Sequence, residues 1–259
     1  MKEIAIIIVN FNNQETIIDC LANLKYERTQ IIVVDNKSSD NSLNLIKSKF
    51  PQVKIIENKS NLGFAVACNI GIKYALRKKT ERILLLNPDT LPEREFLSKL
   101  TKKQSVIVSP VLKFKRGGKW VYDFGGKINW LIGRPYHYEF SNLNIKKPKE
   151  IDYVSGCCML IKKEAFDKIG FLDENYFLFF EDVDFCLRAK KASLKIDINE
   201  KVAVHHNLSE GKKKSCFYYR QMIKSNFVFV NKWMPIHKKP LAYGYLLILS
   251  LKIIINKLF

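Results

Sequence analysis

The amino-acid sequence predicts an α/β fold with a mostly parallel central sheet and flanking helices. The first third of the chain contains four short apolar runs rich in Ile, Val and Leu, which are typical of strands covered on both faces. Segments with helical spacing of apolar residues separate these runs, and such alternation favours a parallel sheet. Polar residues follow three of the four runs, at the sheet edge where α/β proteins bind ligands.

The predicted elements follow the chain in a regular order. The four predicted strands are residues 4–9, 31–34, 53–56 and 83–86. Residues 16–24 and 63–79 have apolar stripes typical of helices, and residues 39–42 offer N-cap side chains for a helix that follows them. Later in the chain, strands are predicted at 154–161 and 202–204 and a helix at 163–169.

Residues 113–149 have a different composition, with glycine pairs and clustered aromatic residues that include Tyr136, His137 and Tyr138. Such a composition predicts a loop-rich, partly β insertion over the ligand crevice. Contact with an acceptor molecule is one role for these aromatic side chains, and a minor core under a loop is the other.

Three predicted strands end in Asn or Asp, which is the main sign of a functional site. Asn10 and Asn12 follow the first strand, Asp35 and Asn36 the second, and Asn87 and Asp89 the fourth. Because parallel strands end at one edge, these side chains are expected to converge there. The alternative is that Asp and Asn are common in turns after strands.

A second group of polar residues lies further along the chain. Asp184 and Arg188 have the spacing of a helical ion pair, whereas Glu181 and Asp182 follow an aromatic run that would raise the pKa of a carboxyl toward that of a general base. His205 and His206 end a short strand, where either could contact a metal or a phosphate or lie on the surface.

Charge and cysteine content narrow the class of protein. The 44 Lys and Arg against 25 Asp and Glu give +19, which implies an anionic partner such as nucleic acid, a membrane surface or a phosphorylated substrate. The six cysteines show no CxxC spacing and are expected to be buried free thiols, rather than disulfides or a zinc site. The first apolar run is too short for a signal peptide, so the sequence predicts a cytoplasmic protein.

The C-terminal segment, residues 211–259, has ten basic residues and no acidic one. Aromatic residues alternate with these charges, and an apolar run from 241 to 251 follows. This pattern favours a peripheral anchor on an anionic membrane, with a single span or a packed helix as alternatives. The predicted domains are a catalytic domain at 1–210 and a membrane-associating helical segment at 211–259.

Several motifs together resemble the family 2 glycosyltransferases, which are inverting enzymes of the GT-A fold, and in particular the rhamnosyltransferase-like bacterial enzymes. The resemblance covers roughly residues 3–210. The matching segments are residues 6–12 (IIIVNFN), 33–40 (VVDNKSSD), 61–65 (NLGFA), 84–90 (LLLNPDT), 152–156 (DYVSG), 180–184 (FEDVD) and 205–206 (HH).

The resemblance implies specific roles for the residues in these motifs. Asp35 would contact the nucleotide base, Asp182 of the Glu181-Asp182 pair would be the general base, and Asp89 with His205 would hold Mg²⁺ or Mn²⁺. Asn87 stands where a full DxD motif has its first Asp, so Asp89 is the firmer ligand. The expected donor-binding residues are Asn10, Asn12, Asp35, Asn36, Asn61, Gly63, Asn69 and Asn87.

The resemblance implies that the protein moves a sugar from a UDP- or dTDP-linked donor to a hydroxyl of a saccharide acceptor in cell-surface polysaccharide synthesis. The acceptor is expected to be lipid-linked. The expected location is the inner face of the cell membrane, with no nucleic-acid partner. Two alternative functions are a basic nucleic-acid-binding protein and a catalytically silent membrane scaffold of the same fold. The carboxylates at the sheet edge disfavour nucleic-acid binding, because they repel phosphate unless a cation lies between them.

Overall fold

The computed structural model describes residues 3–24, 29–93, 95–143, 148–207 and 215–258. Within these ranges one mixed sheet has the strand order β3-β2-β1-β4-β9-β6-β10-β5, with β7 paired to β6 and β8 paired to β7. The strands are β1 (Ile4–Asn10), β2 (Thr29–Asp35), β3 (Lys54–Glu57), β4 (Arg82–Leu86), β5 (Thr90–Leu91), β6 (Ile107–Arg116), β7 (Lys119–Asn129), β8 (Arg134–Phe140), β9 (Cys158–Lys162) and β10 (Ile196–His206).

Helices flank the sheet, and two more follow it at the C-terminus. The helices are α1 (Ile17–Ala22), α2 (Ser42–Lys49), α3 (Phe64–Arg77), α4 (Phe96–Leu100), α5 (Lys163–Ile169), α6 (Glu181–Lys191), α7 (Cys216–Trp233) and α8 (Lys239–Leu258). The predicted α/β fold is confirmed, and each of the four strands predicted in the first third is present.

Strand pairing divides the sheet into a parallel half and a mixed half. The strands β3, β2, β1 and β4 are parallel to one another, as the alternating pattern predicts. The strand β9 pairs antiparallel with both β4 and β6, so the sheet beyond β4 is mixed. All seven residues of β1 are buried, and alternate side chains enter two separate cores because successive side chains of a strand point to opposite faces.

The insertion predicted at 113–149 contains a long antiparallel hairpin, β7–β8, which extends the sheet from β6. The strand predicted at 154–161 begins only at Cys158, because residues 156 and 157 form a turn. In that turn the Cys157 carbonyl accepts a hydrogen bond from the Asn87 amide at 2.8 Å, which ties it to the end of β4.

The helix α7 packs against the sheet domain, and α8 packs against α7. Phe229 is fully buried in the larger core, and the Ser225 hydroxyl donates to the Leu178 carbonyl at 2.7 Å. Val230 and Met234 of α7 form a small separate core with Ala242 and Leu246 of α8.

No helix in the described residues has the length and apolar character needed to cross a membrane. Of the basic C-terminal residues, Lys212, Lys213 and Lys214 lie outside the described residues.

All six cysteines are free thiols, and five of them are buried whereas Cys216 is exposed. Burial raises the pKa of the Cys20 thiol to about 12, and burial likewise raises the pKa of Cys68, Cys157, Cys158 and Cys186. These five thiols therefore remain protonated at neutral pH and act as small apolar core residues.

Two helical glycines provide a test of how closely α3 lies on the sheet. A Cβ at Gly71 would lie 2.6 Å from Ile7 Cγ2 of β1, whereas a Cβ at Gly244 of α8 would meet nothing within 4 Å. We expect Gly71→Ala to lower the free energy of unfolding by about 1–3 kcal/mol, because Ile7 is buried and stiff at its branched Cβ. Gly244→Ala should be neutral or stabilising by up to about 1 kcal/mol, because alanine favours a helix. Urea unfolding measures both, and equal destabilisation would contradict the close packing of α3 on β1.

Candidate active site

A cavity of about 710 Å³ lies at the carboxyl ends of the parallel strands. We call the lining residues from the ends of β1, β2 and β4 and the start of α3 the first wall, and those from β8, residue 153, the start of α6 and α7 the second wall. Residues on the first wall include Phe11, Asn36, Asn61, Gly63, Asn87 and Asp89, and residues on the second include Arg134, His137, Tyr153, Asp182, Tyr218 and Met222.

Asp89 and a histidine meet at one edge of the cavity. His206 Nε2 lies 3.2 Å from Asp89 Oδ1, and the Asn207 amide donates to the Asp89 carbonyl at 2.7 Å. The cause is the antiparallel pairing of β10 with β5, which places His206 opposite Thr90. Neither the pairing nor its register is evident from the sequence.

The choice of His205 as the residue beside Asp89 is wrong. The His205 ring packs edge-on against Trp120 with centroids 5.3 Å apart, and it does not line the cavity. Adjacent residues of a strand point to opposite faces, so only one of the two histidines can face Asp89. Burial and the nearby Lys113 lower the pKa of His205, so it is neutral at physiological pH.

The Asp89–His206 pair fits a divalent cation. Asp89 Oδ1 is buried and accepts no hydrogen bond, although an imidazole nitrogen lies 3.2 Å away. Neighbouring ligands of an octahedral cation with bonds of about 2.1 Å are about 3.0 Å apart, so the two atoms are placed as adjacent ligands would be. In the ranges that the structure describes, no three His, Cys, Asp or Glu residues cluster as a complete metal site. A cation held here would take its remaining ligands from substrate and water.

Asp182 lies at the start of α6, on the second wall. Its Oδ2 accepts the Gly156 amide at 2.8 Å and its Oδ1 accepts the Val183 amide at 2.7 Å. Burial raises the pKa of Asp182, and these backbone hydrogen bonds and the charge of His137 oppose that shift. The carboxylate is therefore oriented by two donors, while its raised pKa increases its basicity.

Glu181 is more deeply buried than its neighbour. Its Oε2 has no hydrogen-bond partner, and burial together with the charge of Asp182 raises the pKa of Glu181 well above its ordinary value. Burial therefore favours the protonated form of Glu181. The turn before it is strained, because Phe179 and Phe180 have φ of 70° and 71°, a region that few residues other than glycine adopt.

The first wall depends on a glycine that lets two segments touch. Gly63 has φ of 86°, and a Cβ there would lie 2.5 Å from the Phe177 carbonyl oxygen. Asn61 Oδ1 accepts the Gly63 amide at 3.0 Å, and Asn36 Nδ2 donates to the Gly63 carbonyl at 3.1 Å. Asn36, Asn61 and Gly63 thus form one hydrogen-bonded surface of the cavity, as the sequence predicts for three donor-binding residues.

Other predicted donor residues do not line the cavity. Asn69 is buried and holds the segment after α5, since its side chain bonds both the carbonyl and the amide of Leu172. Asn10 is fully buried, and its Nδ2 donates to Asp35 Oδ1 at 2.8 Å and to Ser42 Oγ at 2.8 Å. The expectation that Asn10 and Asn69 line the cleft is corrected, because both amides are used inside the protein.

Asp35 and Asn12 shape the loop between β2 and α2. Asp35 is 2% exposed, and its carboxylate accepts Asn10 Nδ2, the Ser38 amide and the Ser38 hydroxyl. Asn12 Oδ1 accepts the Ser39 amide at 2.7 Å. In this structure both side chains therefore order the loop, and Asn36 is the loop residue that reaches the cavity.

The second wall contains residues that the sequence left unassigned. His137 Nδ1 lies 2.8 Å from Asp123 Oδ2, and its ring meets Tyr153 edge-on with centroids 5.2 Å apart. Burial opposes protonation, but the hydrogen bond and charge of Asp123 outweigh it and raise the pKa of His137. In the sequence, the aromatic cluster at 136–138 indicates a functional role for His137. No sequence pattern indicates that Arg134 or Met222 lines the cavity.

The fold is that of the GT-A glycosyltransferases. It is similar to the crystal structure of GalNAc-T7 with UDP, GalNAc and Mn²⁺, with a TM-score of 0.69 and 18% identity over 91% of this chain. This chain spans 48% of the length of that structure, so the similarity concerns its glycosyltransferase fold.

The chain belongs to glycosyl transferase family 2, whose family model matches residues 5–170. It is 27% identical over 221 residues to a low-salt glycan biosynthesis hexosyltransferase of Haloferax volcanii, covering 80% of this chain and 68% of that protein. It is 22% identical over 228 residues to the N-acetylglucosaminyl-diphospho-decaprenol L-rhamnosyltransferase of Mycobacterium tuberculosis, covering 77% and 74%. The protein is therefore a rhamnosyltransferase-like glycosyltransferase, and neither the nucleic-acid-binding nor the scaffold alternative is favoured.

Proposed function

We propose that this protein is an inverting, metal-dependent hexosyltransferase that moves a sugar, rhamnose in particular, from a UDP- or dTDP-linked donor to a saccharide hydroxyl. The observation that carries the proposal is the placement of a cation-binding pair, Asp89 and His206, in the same cavity as the oriented carboxylate of Asp182. Inverting transfer needs both: stabilisation of a departing diphosphate and removal of a proton from the acceptor.

The first wall is the proposed donor side. Asn36, Asn61 and Asn87 offer amide groups to the nucleotide and the sugar phosphates, and Gly63 allows the backbone to approach them closely. Among the described residues Asp35 Oδ2 accepts only the Ser38 amide, so this oxygen retains capacity for one further hydrogen bond, which we assign to the nucleotide base. Asn12 acts on the donor indirectly, through the loop that it holds.

Asp89 and His206 would hold Mg²⁺ or Mn²⁺ on this side. When bound, a divalent cation would neutralise the negative charge that develops on the leaving diphosphate. The two side chains bring one carboxylate and one imidazole, a donor set that suits a cation which also coordinates phosphate oxygens.

Asp182 is the proposed general base. Its carboxylate takes the proton of the acceptor hydroxyl as that oxygen bonds to the anomeric carbon and the bond to the diphosphate breaks. Because the acceptor approaches from the face opposite the leaving group, the configuration at that carbon inverts. The hydrogen bond from the Gly156 amide fixes the carboxylate while the proton is transferred.

The C-terminal helices support a lipid-linked acceptor at the inner face of the cell membrane. Leu247, Ile248 and Leu251 of α8 are 51–66% exposed and share a helix face, and Lys238, Lys239 and Lys252 flank it. Exposed apolar side chains beside basic ones suit an anionic bilayer surface. One relative is named for an acceptor on a decaprenol lipid, which agrees with this location. Because α7 packs into the sheet core, we place the division between the catalytic and membrane-contacting parts at the α7–α8 turn.

The cation pair is tested by comparing the two adjacent histidines. We expect Asp89→Asn and His206→Gln to abolish or greatly reduce the gain in UDP or dTDP affinity that Mn²⁺ brings, as measured by calorimetry. His205→Gln is the matched control and should keep that gain, because its ring faces Trp120. If His205→Gln alone removed the effect of Mn²⁺, the assignment of His206 would be wrong.

The general base is tested by Asp182→Asn. We expect the turnover rate to fall by about 10²–10⁴ with nucleotide affinity nearly unchanged, since the base acts on the acceptor. In the unsubstituted protein the active form is the carboxylate, so activity should fall as the pH drops through the raised pKa of Asp182. The fall in activity on the acid side of the pH profile should therefore lie at a higher pH than it would for an exposed Asp. Glu181→Gln is the control, and a larger rate loss from it would move the base to Glu181.

Membrane contact is tested by vesicle flotation with two triple variants. The charge variant, Lys238→Gln/Lys239→Gln/Lys252→Gln, should lose salt-sensitive binding to anionic vesicles, because each lysine near the surface contributes about 1 kcal/mol. The apolar variant, Leu247→Ser/Ile248→Ser/Leu251→Ser, should lose the binding that persists at high salt. Absence of vesicle binding by the unsubstituted chain, with tight DNA binding at physiological salt, would contradict the membrane proposal.

A further inference from the structure

Arg134 is a cation on the cavity wall without a counter-charge. Its Nη1 is buried and has no hydrogen-bond partner, and its Nη2 reaches only the Met222 sulfur at 3.9 Å. Among the described residues no carboxylate lies within ion-pair distance of it, whereas Arg116 and Arg188 pair with Glu139 and Asp184. An unmet guanidinium donor beside a cavity is costly unless a ligand supplies the acceptor.

Arg134 lies in the part of the cavity that contains the proposed base, because its charge and that of Asp182 both act on Tyr153. It begins β8, and its positive charge acts on Tyr153 and Tyr218 of the same wall. The other basic group of this wall, His137, is already balanced by Asp123 at 2.8 Å. Among the described residues of this wall, Arg134 is therefore the positive charge that no carboxylate balances.

We propose that Arg134 binds a phosphate group of the acceptor, in a subsite separate from the Asp89–His206 pair. This inference rests on the proposed function, in which the acceptor is a lipid-linked saccharide. The planar guanidinium can donate two parallel hydrogen bonds to a phosphate, which also fixes the orientation of the attached sugar. A phosphate entering the cavity would otherwise meet the negative charge of Asp182 without compensation.

The helix α7 provides a route for such an acceptor. Tyr218 and Met222 of α7 line the cavity beside Arg134, while Arg220 and Phe227 on another face of the helix line an apolar groove of about 650 Å³ against Ile254 of α8. One helix thus separates the phosphate subsite from this groove, whose residues Ser250 and Ile254 neighbour Leu251 of the α8 face that we assign to the membrane. An acceptor whose lipid remains at that surface can place its phosphate at Arg134.

The test uses the full chain saturated with Mn²⁺ and its preferred nucleotide, UDP or dTDP, so that the donor phosphate site is filled. Butyl diphosphate is the probe for the acceptor phosphate, and butyl glucoside is the neutral probe. Arg134→Gln should weaken butyl diphosphate binding by about 10- to 100-fold, the range for a lost charge-assisted hydrogen-bond pair. Butyl glucoside binding and nucleotide affinity should stay unchanged. Lys119→Gln, which removes an exposed charge from the same hairpin, should leave all three affinities unchanged.

Circular dichroism and urea unfolding report whether Arg134→Gln is folded, independently of ligand binding. Arg134→Lys should give an intermediate loss, because lysine keeps the charge but lacks the planar set of hydrogen-bond donors. The proposal is overturned if butyl diphosphate binds both Arg134 variants as it binds the unsubstituted chain. It is equally overturned if the variants lose nucleotide affinity instead, since Arg134 would then contact the donor phosphates. Failure of the unsubstituted chain to bind any nucleotide would overturn the proposed function as well, so the two failures are distinguishable.

Discussion

The close approach of the segment before α6 to the start of α3 is the constraint on which the cavity depends. The Phe64 amide donates to the Phe177 carbonyl at 2.7 Å, and only glycine at position 63 leaves room for that carbonyl. From this anchor the chain makes a left-handed turn at Phe179 and Phe180 and delivers Asp182 onto the Gly156 amide. One contact therefore sets the distance between the donor wall and the proposed base, and the strained turn persists because both of its ends are fixed.

In the proposed reaction, positive charge is needed at two places in the cavity, because carboxylates and substrate phosphates would meet at both. Asp89 presents a buried oxygen without a hydrogen bond, and Asp182 is kept in an environment that raises its pKa. Phosphate groups brought by either substrate would add negative charge to both regions. On the proposed donor side, a divalent cation held by Asp89 and His206 would oppose that charge, and on the proposed acceptor side Arg134 would do so without a metal. Two anionic substrates could then occupy one cavity while the carboxylate of Asp182 stays available for a proton.

The sequence correctly predicts those features of the fold that depend on a local pattern of residues. The parallel strands and the order of the helices follow from apolar runs and spacing, and Asn36, Asn61 and Gly63 line the cavity as expected. The errors arise where long-range pairing decides. The choice between His205 and His206 depends on the register of β10 with β5, and the burial of Asn69 depends on a segment about one hundred residues away. The role proposed for Arg134 also depends on a long-range contact, because the Met222 sulfur is the one hydrogen-bond partner that its guanidinium has among the described residues.

The helix α7 connects α8, which we propose contacts a membrane, to the helix that carries the proposed base. Asp184 of α6 is fully buried, and its Oδ1 accepts Trp233 Nε1 at 2.7 Å and lies 2.7 Å from Lys232 Nζ. These bonds join the last turn of α7 to the helix whose first turn holds Asp182. The following helix α8 is fastened to α7 by a small apolar core, so its exposed face has a fixed direction relative to α6. Attachment of α8 to a bilayer would therefore orient the whole cavity. An acceptor held in that bilayer would meet the acceptor wall first, because α7 lies between the membrane-facing helix and that wall.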